Sequence, residues 1–296
     1  MSAGADTTSG PVRRARAAAR RLGPAAIIGL AILAVFAIVV IAGDWLAPFG
    51  ATDRVGAPYQ PPDGVHRLGT DDVGRDLFSQ LLLGARTSLA IGAGVAVLSI
   101  TVGAVIGGLA GLLRGVVDTL AMRTVDVVLS LPFLPLLVVA AAFLGRGLTT
   151  QILLISALTW ARPARLIRAA VLAAGSRGHV QAATTLGAST WWLLTRHLSF
   201  SVAPLLLPLV VRAAMGAILL EASLSFLGLG DPQRASWGTM LYWANVRAAV
   251  LTDAWLWWVV PPGIAIATIV VGLGLIGLAW EERLNPSLAA GRRRAA

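Results

Sequence analysis

The sequence has no cysteine and no lysine, since all 24 of its basic residues are arginines. Without cysteine there is no disulfide, no thiolate metal site and no thiol nucleophile. Without lysine there is no phosphate-binding P-loop and no Schiff-base enzyme, because both depend on a lysine amine. These absences exclude several classes of enzyme before any motif is considered.

Charged residues are also scarce. They make up 13% of the 296 residues, against 57% hydrophobic residues, whereas a soluble globular protein has about 25% charged residues. The formal net charge of +10 is compatible with nucleic-acid binding, but arginines that flank membrane spans explain it better. The histidines, His66, His179 and His197, show no metal-ligand spacing, so we predict neither a metal site nor a zinc hydrolase.

The apolar residues are concentrated in runs that are long enough to cross the ~30 Å hydrocarbon core of a bilayer as helices. The runs cover residues 24–43, 88–112, 124–145, 148–172, 203–228 and 255–280. Pro132 and Pro135 in the third run, and Pro261 and Pro262 in the last, predict kinked helices. The sequence therefore predicts an all-α membrane protein with six transmembrane helices.

The distribution of arginine predicts that both ends of the chain lie in the cytoplasm, where basic residues accumulate. Residues 1–23 contain five arginines and residues 281–296 contain four, whereas the segment 44–87 balances four arginines with six aspartates. We therefore divide the chain into a cytoplasmic Arg-rich tail (1–23), a first transmembrane helix (24–43), an extracytoplasmic loop with an amphipathic helix (44–87), a five-helix core (88–280) and a cytoplasmic C-terminal tail (281–296).

The cytoplasmic loop of residues 177–200 is the most informative segment. Its first part is typical of a short helix that ends at Gly187, because glycine accepts the left-handed conformation that stops a helix. Ser189 is a suitable N-cap for a second helix that carries Trp191 through Leu198. A short helix of this kind can lie in a groove of a partner protein and pass on its motion.

The same loop resembles the EAA loop of ABC-importer permeases, in which Glu-Ala-Ala is followed at a fixed spacing by glycine. The matching residues are Gln181, Ala182, Ala183 and Gly187, and the resemblance makes them candidates for coupling to an ATPase. Gln181 stands where glutamate is usual, and Ser199-Phe200 stand where Leu-Pro is usual. The first departure removes a charge, so any salt bridge from that position to the ATPase is absent or weakened.

Further segments resemble dipeptide and oligopeptide permeases. They are His66–Gly92, Gly115–Pro132, Leu219–Gly230, the Ser-Trp-Gly motif at Ser236–Gly238, and Glu282–Leu288. The layout of one span followed by a long extracytoplasmic loop resembles the C-type subunit of the two permeases in such systems. The chain is thus identified as a member of the inner-membrane component family of binding-protein-dependent transport systems.

The resemblance implies the type I ABC-importer permease (MetI-like) fold and a place in the cytoplasmic membrane. It implies import of di- or oligopeptides, or of related solutes such as nickel chelates or glutathione, by alternating access. The implied partners are a sibling permease, two ATPase domains or subunits, an extracytoplasmic solute-binding protein and membrane lipid, with no nucleic acid. ATP and magnesium would be bound by the ATPases, so this chain is expected to hold no cofactor and to be no enzyme itself.

Glu221 is an acidic residue inside the fifth apolar run. An intramembrane carboxylate is a functional candidate by default, but the nearby Ser223 and Ser225 would equally suit a structural hydrogen-bonded group, and both interpretations stay open. A secondary transporter or channel usually needs several such acids, and only Asp126, near a span edge, accompanies Glu221. A membrane enzyme would need a catalytic pair at depth, and no histidine lies there.

Aspartates precede the second run at Asp71, Asp72 and Asp76. They are candidates for cation binding or for contact with a solute-binding protein. We favour an amphipathic helix capped by Thr70 or Asp71, because aspartate concentrates in first helical turns. Leu77, Leu81 and Leu82 would then face the bilayer. Small residues in the second run predict close helix packing: Gly103, Gly107, Gly108 and Gly111.

Overall fold

The computed structural model describes residues 23–187, 189, 192 and 199–284, which form a bundle of α-helices. The helices, named in chain order, are α1 (Pro24–Leu46), α2 (Leu77–Leu113), α3 (Gly115–Ser130), α4 (Phe133–Leu144), α5 (Leu148–Thr159), α6 (Ala161–Gly175), α7 (Gly178–Thr185), α8 (Ser199–Leu224), α9 (Trp237–Val246), α10 (Trp255–Trp258) and α11 (Val260–Leu284). A π-helical turn, Ser225–Leu229, follows α8. The predicted N-terminal tail and most of the C-terminal tail lie outside the described residues.

Four helical segments are long and apolar enough to cross a membrane: Pro24–Leu46, Leu77–Leu113, Val202–Leu229 and Trp255–Leu284. Together α3 and α4 make a fifth candidate, although they meet at an angle of 87°. The apolar helix α5 has 12 residues, or about 18 Å at ~1.5 Å per residue, and is too short to cross alone. The described residues thus contain four or five spans by length and composition, which agrees with the predicted all-α membrane class but not with a full count of six.

Proline accounts for the breaks in the third and fourth runs. The residue before Pro132 is extended, because proline disfavours helical backbone at the preceding position, and the predicted kink of the third run is confirmed. The fourth run, predicted as one helix over 148–172, is instead divided at Trp160. Pro163 lacks the N–H that would bond to the carbonyl of Thr159, so the helical hydrogen bonding is interrupted there.

Helix α2 begins at Leu77, well before the predicted start of the second run. The prediction of a helix capped by Thr70 or Asp71 was wrong, because residues 47–76 form turns, bends and isolated β-bridges and the N-cap is Asp76. Its carboxylate accepts a hydrogen bond from the Ser79 N–H at 2.7 Å. Leu77 is fully buried and does not face the bilayer, which also corrects the prediction.

Helix α2 is the centre of the bundle and contacts α1, α5, α6 and α8. In the second half of α2, glycines on one face let the helix backbone lie directly against α6. A Cβ added at Gly103 would lie 2.9 Å from Pro163, and one added at Gly111 would lie 2.9 Å from Val171. At Gly107 an added Cβ would strike the Ala164 backbone. The predicted close packing is therefore confirmed for these glycines.

Gly108 differs, because a Cβ there would meet nothing within 4 Å. We expect Gly107→Ala to destabilise the protein by about 1–3 kcal/mol, the usual range for overpacking a close contact. Gly108→Ala is the matched control, since it adds the same methyl group one residue away, and it should raise stability slightly because alanine favours the helix over glycine. Thermal unfolding of the two purified variants in detergent checks this, and equal midpoints would contradict the assigned α2–α6 contact.

Candidate functional site

The carboxylate of Glu221 is buried near the end of α8, with 1% of the residue exposed. Its Oε1 accepts hydrogen bonds from the hydroxyls of Ser225 and Ser236, both at 2.8 Å. Its Oε2 accepts one from the hydroxyl of Ser88 at 3.0 Å. A buried carboxylate needs such donors, because losing water without replacement would be very unfavourable.

The serine hydroxyls are themselves oriented by backbone groups. The Ser88 oxygen accepts from the Trp237 N–H at 3.2 Å, and the Ser236 oxygen accepts from the Thr239 N–H at 3.1 Å as the N-cap of α9. With a backbone N–H donating to each oxygen, these two hydroxyls are oriented to donate their protons to the carboxylate. We call Glu221, Ser88, Ser225 and Ser236 the serine–carboxylate cluster.

The cluster forms because small residues let α9 approach the end of α8. A Cβ at Gly238 would lie 2.6 Å from the Cβ of Ser225, and one at Gly230 would lie 2.5 Å from its hydroxyl oxygen. Gly228 has a φ of +80°, a backbone conformation that favours glycine, and it turns the chain out of the π-helical segment. The cluster therefore joins α2, α8 and α9 at one end of the bundle, which we call the α9 end.

The turns before α2 also lie at the α9 end, and their acidic side chains form hydrogen bonds and ion pairs within the chain. Asp76 pairs with the buried His66 at 3.0 Å, and Asp71 accepts from the Gln80 side chain at 3.0 Å. Asp72 forms an ion pair with Arg247 at 2.8 Å. Burial raises the pKa of the Asp72 carboxyl, and the Arg247 charge opposes that shift. These aspartates thus hold the turns to α2 and α9.

The predicted coupling residues lie at the other end of the bundle, which we call the α7 end. Gln181 and Ala182 are exposed on α7, and Ala183 is half-buried. Gly187 is exposed and has a φ of +84°, so the predicted left-handed helix stop is confirmed. The intervening Leu186 is 88% exposed.

The second predicted loop helix, Trp191 through Leu198, falls mostly outside the described residues. Its start is visible, because the Ser189 hydroxyl accepts a hydrogen bond from the Trp192 N–H at 3.2 Å. This spacing is that of an N-cap, as predicted.

The structure does not bring the predicted site residues together, since Glu221 lies at the α9 end and the loop at the α7 end. Sequence reasoning noted Ser223 and Ser225 near Glu221. Only Ser225 reaches it, while the exposed Ser223 bonds to the Leu219 carbonyl at 2.7 Å. Ser88 and Ser236 were missed, although the Ser-Trp-Gly motif was a usable signal for Ser236. Among the described residues, no group of three or more acidic or histidine side chains is placed to hold a metal ion.

Comparison with known families decides the class of protein. The model of the family "binding-protein-dependent transport system inner membrane component" matches residues 103–290. The chain belongs to this family. A second model, for the N-terminal transmembrane domain of oligopeptide transport permease C, matches residues 21–62. The predicted family and C-type layout are therefore confirmed, and the chain is a transport subunit and not itself an enzyme.

Curated relatives extend the similarity over most of the chain. The probable D,D-dipeptide transport system permease protein of Escherichia coli is 38% identical over 89% of this chain and 88% of its own length. A putative peptide transport system permease of Brucella suis is 38% identical over 88% and 87% of the two chains. A putative peptide permease of the same organism is 36% identical over 94% and 92%. These names do not favour the nickel-chelate or glutathione alternative.

The serine–carboxylate cluster predicts a stability difference between two neighbouring serines. Ser225→Ala removes a hydrogen bond to a buried carboxylate and should cost about 1–3 kcal/mol. Ser223→Ala removes the same hydroxyl from an exposed position and is the matched control, which should change stability little. Thermal unfolding in detergent measures both, and an equal loss in both variants would contradict the structural importance of the cluster.

Glu221→Gln distinguishes the two interpretations of the carboxylate. If Glu221 is structural, the amide should lower the unfolding midpoint, because its NH₂ group faces a serine hydroxyl that donates, and transport should fall only with the amount of folded protein. A direct functional role predicts in addition that transport per folded molecule is lost. Measuring the unfolding midpoint together with uptake per folded molecule separates the two.

Proposed function

We propose that this chain is one of two membrane-spanning subunits of an ATP-driven importer that moves di- or oligopeptides across the cytoplasmic membrane by alternating access. The observation that carries the proposal is the helical loop at the α7 end, which exposes Gln181, Ala182 and Leu186 in a member of this transport family. The names of the peptide and dipeptide permease relatives support the solute class.

In the proposed topology the chain crosses the membrane six times. The crossings are α1, α2, the bent pair α3–α4, the broken pair α5–α6, α8 and α10–α11, and both termini are cytoplasmic. This division keeps the proposed first transmembrane helix, five-helix core and two tails. The arginine-rich tails support the orientation, which puts the α7 end in the cytoplasm and the α9 end outside.

The proposed partners supply the nucleotide site that the chain lacks and bind the surfaces that it exposes. A sibling permease completes the translocation path, and two ATPase domains or subunits bind ATP and magnesium, for which this chain has no lysine-containing P-loop. A solute-binding protein delivers the peptide to the α9 end. The loop around Gln181, Ala182, Ala183 and Gly187 docks on an ATPase, and the exposed Leu186 supplies an apolar contact there.

Gly187→Val should weaken this docking. A β-branched residue at a φ of +84° is strained by about 1–3 kcal/mol, so the loop would leave its docking conformation while membrane insertion stays intact. Gly178→Val is the matched control, because that glycine begins the same helix, has no positive φ and faces open space. Co-purification of the ATPase with each variant is the measurement. Equal recovery with both variants would contradict the docking assignment.

Reconstitution tests the function itself. The two permeases and the ATPases are placed in liposomes with a solute-binding protein outside and ATP inside, and uptake of labelled di- and oligopeptides is followed, with a nickel chelate and glutathione as competing solutes. We expect peptide uptake that requires ATP hydrolysis. Uptake driven by an ion gradient without ATP would instead support a secondary transporter.

A further inference from the structure

Helix α3 is held to the bundle by a narrow contact. Only Val125 of α3 is fully buried, and it packs in a small cluster with Ala161 and Ala164 of α6. Met122, Val128 and Leu129 of α3 are partly buried against this cluster, whereas Val116 and Leu120 are 75% and 64% exposed. In a membrane, such surface gains little by touching another helix, because lipid tails are equally apolar. Apolar packing alone therefore fixes α3 weakly.

Two ion pairs fix the position of α3, and both join α3 to α6. The guanidinium of Arg168 donates from Nε and Nη2 to the two carboxylate oxygens of Asp118, so the pair is bidentate. Arg165 donates to Asp126 further along α3. The Arg168–Asp118 pair is also the more buried, with 28% and 17% of the side chains exposed. A bidentate pair fixes both distance and orientation, so α3 cannot slide along α6 without breaking it.

Helix α6 is in turn the element that leads to the coupling loop. The Arg177 N–H bonds to the Ala174 carbonyl at 3.2 Å, and the Val180 N–H bonds to the Arg177 carbonyl at 2.9 Å. Hydrogen bonding thus runs with little interruption from α6 into α7. A displacement of α7 would move α6 and, with it, Arg165 and Arg168, which lie in the first half and the middle of that helix.

We propose that the ion pairs Asp118–Arg168 and Asp126–Arg165 transmit movement of the coupling loop, residues 177–200, to the bent pair α3–α4. The inference rests on the proposed function, since it assumes that an ATPase moves α7. These four residues are positioning residues, because they act on the translocation path through α3. The 87° bend between α3 and α4 then converts a shift of α3 into a change in the direction of α4.

The test uses variants that each remove one charge of the pair. Asp118→Asn and Arg168→Gln should each lower the number of peptides imported per ATP hydrolysed by about fivefold or more, the range of a typical coupling energy between sites. The combined exchange Asp118→Arg with Arg168→Asp restores an ion pair of opposite direction and should recover most of the ratio. Asp44→Asn is the matched control, because Asp44 forms a similar ion pair with Arg86 between α1 and α2, away from α6.

The ratio of uptake to ATP hydrolysis is the informative readout, since loss of folded protein lowers both activities together. The proposal is supported if the Asp118 and Arg168 variants lower the ratio while Asp44→Asn leaves it unchanged. It is overturned if the ratio stays at its normal value, or if the control lowers it equally. Absence of ATP-dependent uptake by the unmodified transporter would contradict the proposed function and, with it, this inference. A normal ratio in the variants of a working transporter would contradict only the role of the ion pairs.

Discussion

The backbone contact between α2 and α6 is the constraint on which the rest of the molecule depends. Helices in a membrane gain little from burying apolar surface against one another, so close approach through small residues has to supply the packing. Gly103, Gly107 and Gly111 provide that approach along one face of α2. The position of α6 then determines where its arginines meet the aspartates of α3 and where the coupling loop leaves the bundle.

The same helix organises the opposite end. Asp76 caps α2, and Ser88 contributes to the serine–carboxylate cluster that joins α2 to α8 and α9. Helix α2 has 37 residues, about 55 Å at ~1.5 Å per residue, so it exceeds the ~30 Å hydrocarbon core and reaches both the α9 end and the α7 end. One continuous helix therefore connects the surface proposed to receive the solute with the surface proposed to meet the ATPase.

The sequence predicts the elements better than their contacts. Long apolar runs predicted the spanning helices, and the Gly187 stop and the Pro132 kink follow from local backbone rules. The break at Trp160 was missed, although Pro163 and the arginines that begin at Arg162 are local signals for it. The start of α2 was misplaced because Asp71 and Asp76 suit an N-cap equally well in sequence, and only the surrounding turns decide between them. The arginine–aspartate pairs and the bond between Ser88 and Glu221 join residues far apart in the chain, so no local pattern indicates them.

The most direct test of the account is a distance measurement in the assembled transporter. The chain has no cysteine, so spin labels can be attached at Leu120→Cys on α3 and Thr185→Cys on α7 without other changes. A second doubly labelled variant carries Leu120→Cys and Leu278→Cys, the latter on α11. The account predicts that ATP binding leaves the distance between the α3 and α7 labels unchanged while the distance to α11 shifts. A change between α3 and α7, with α3 fixed relative to α11, would contradict it.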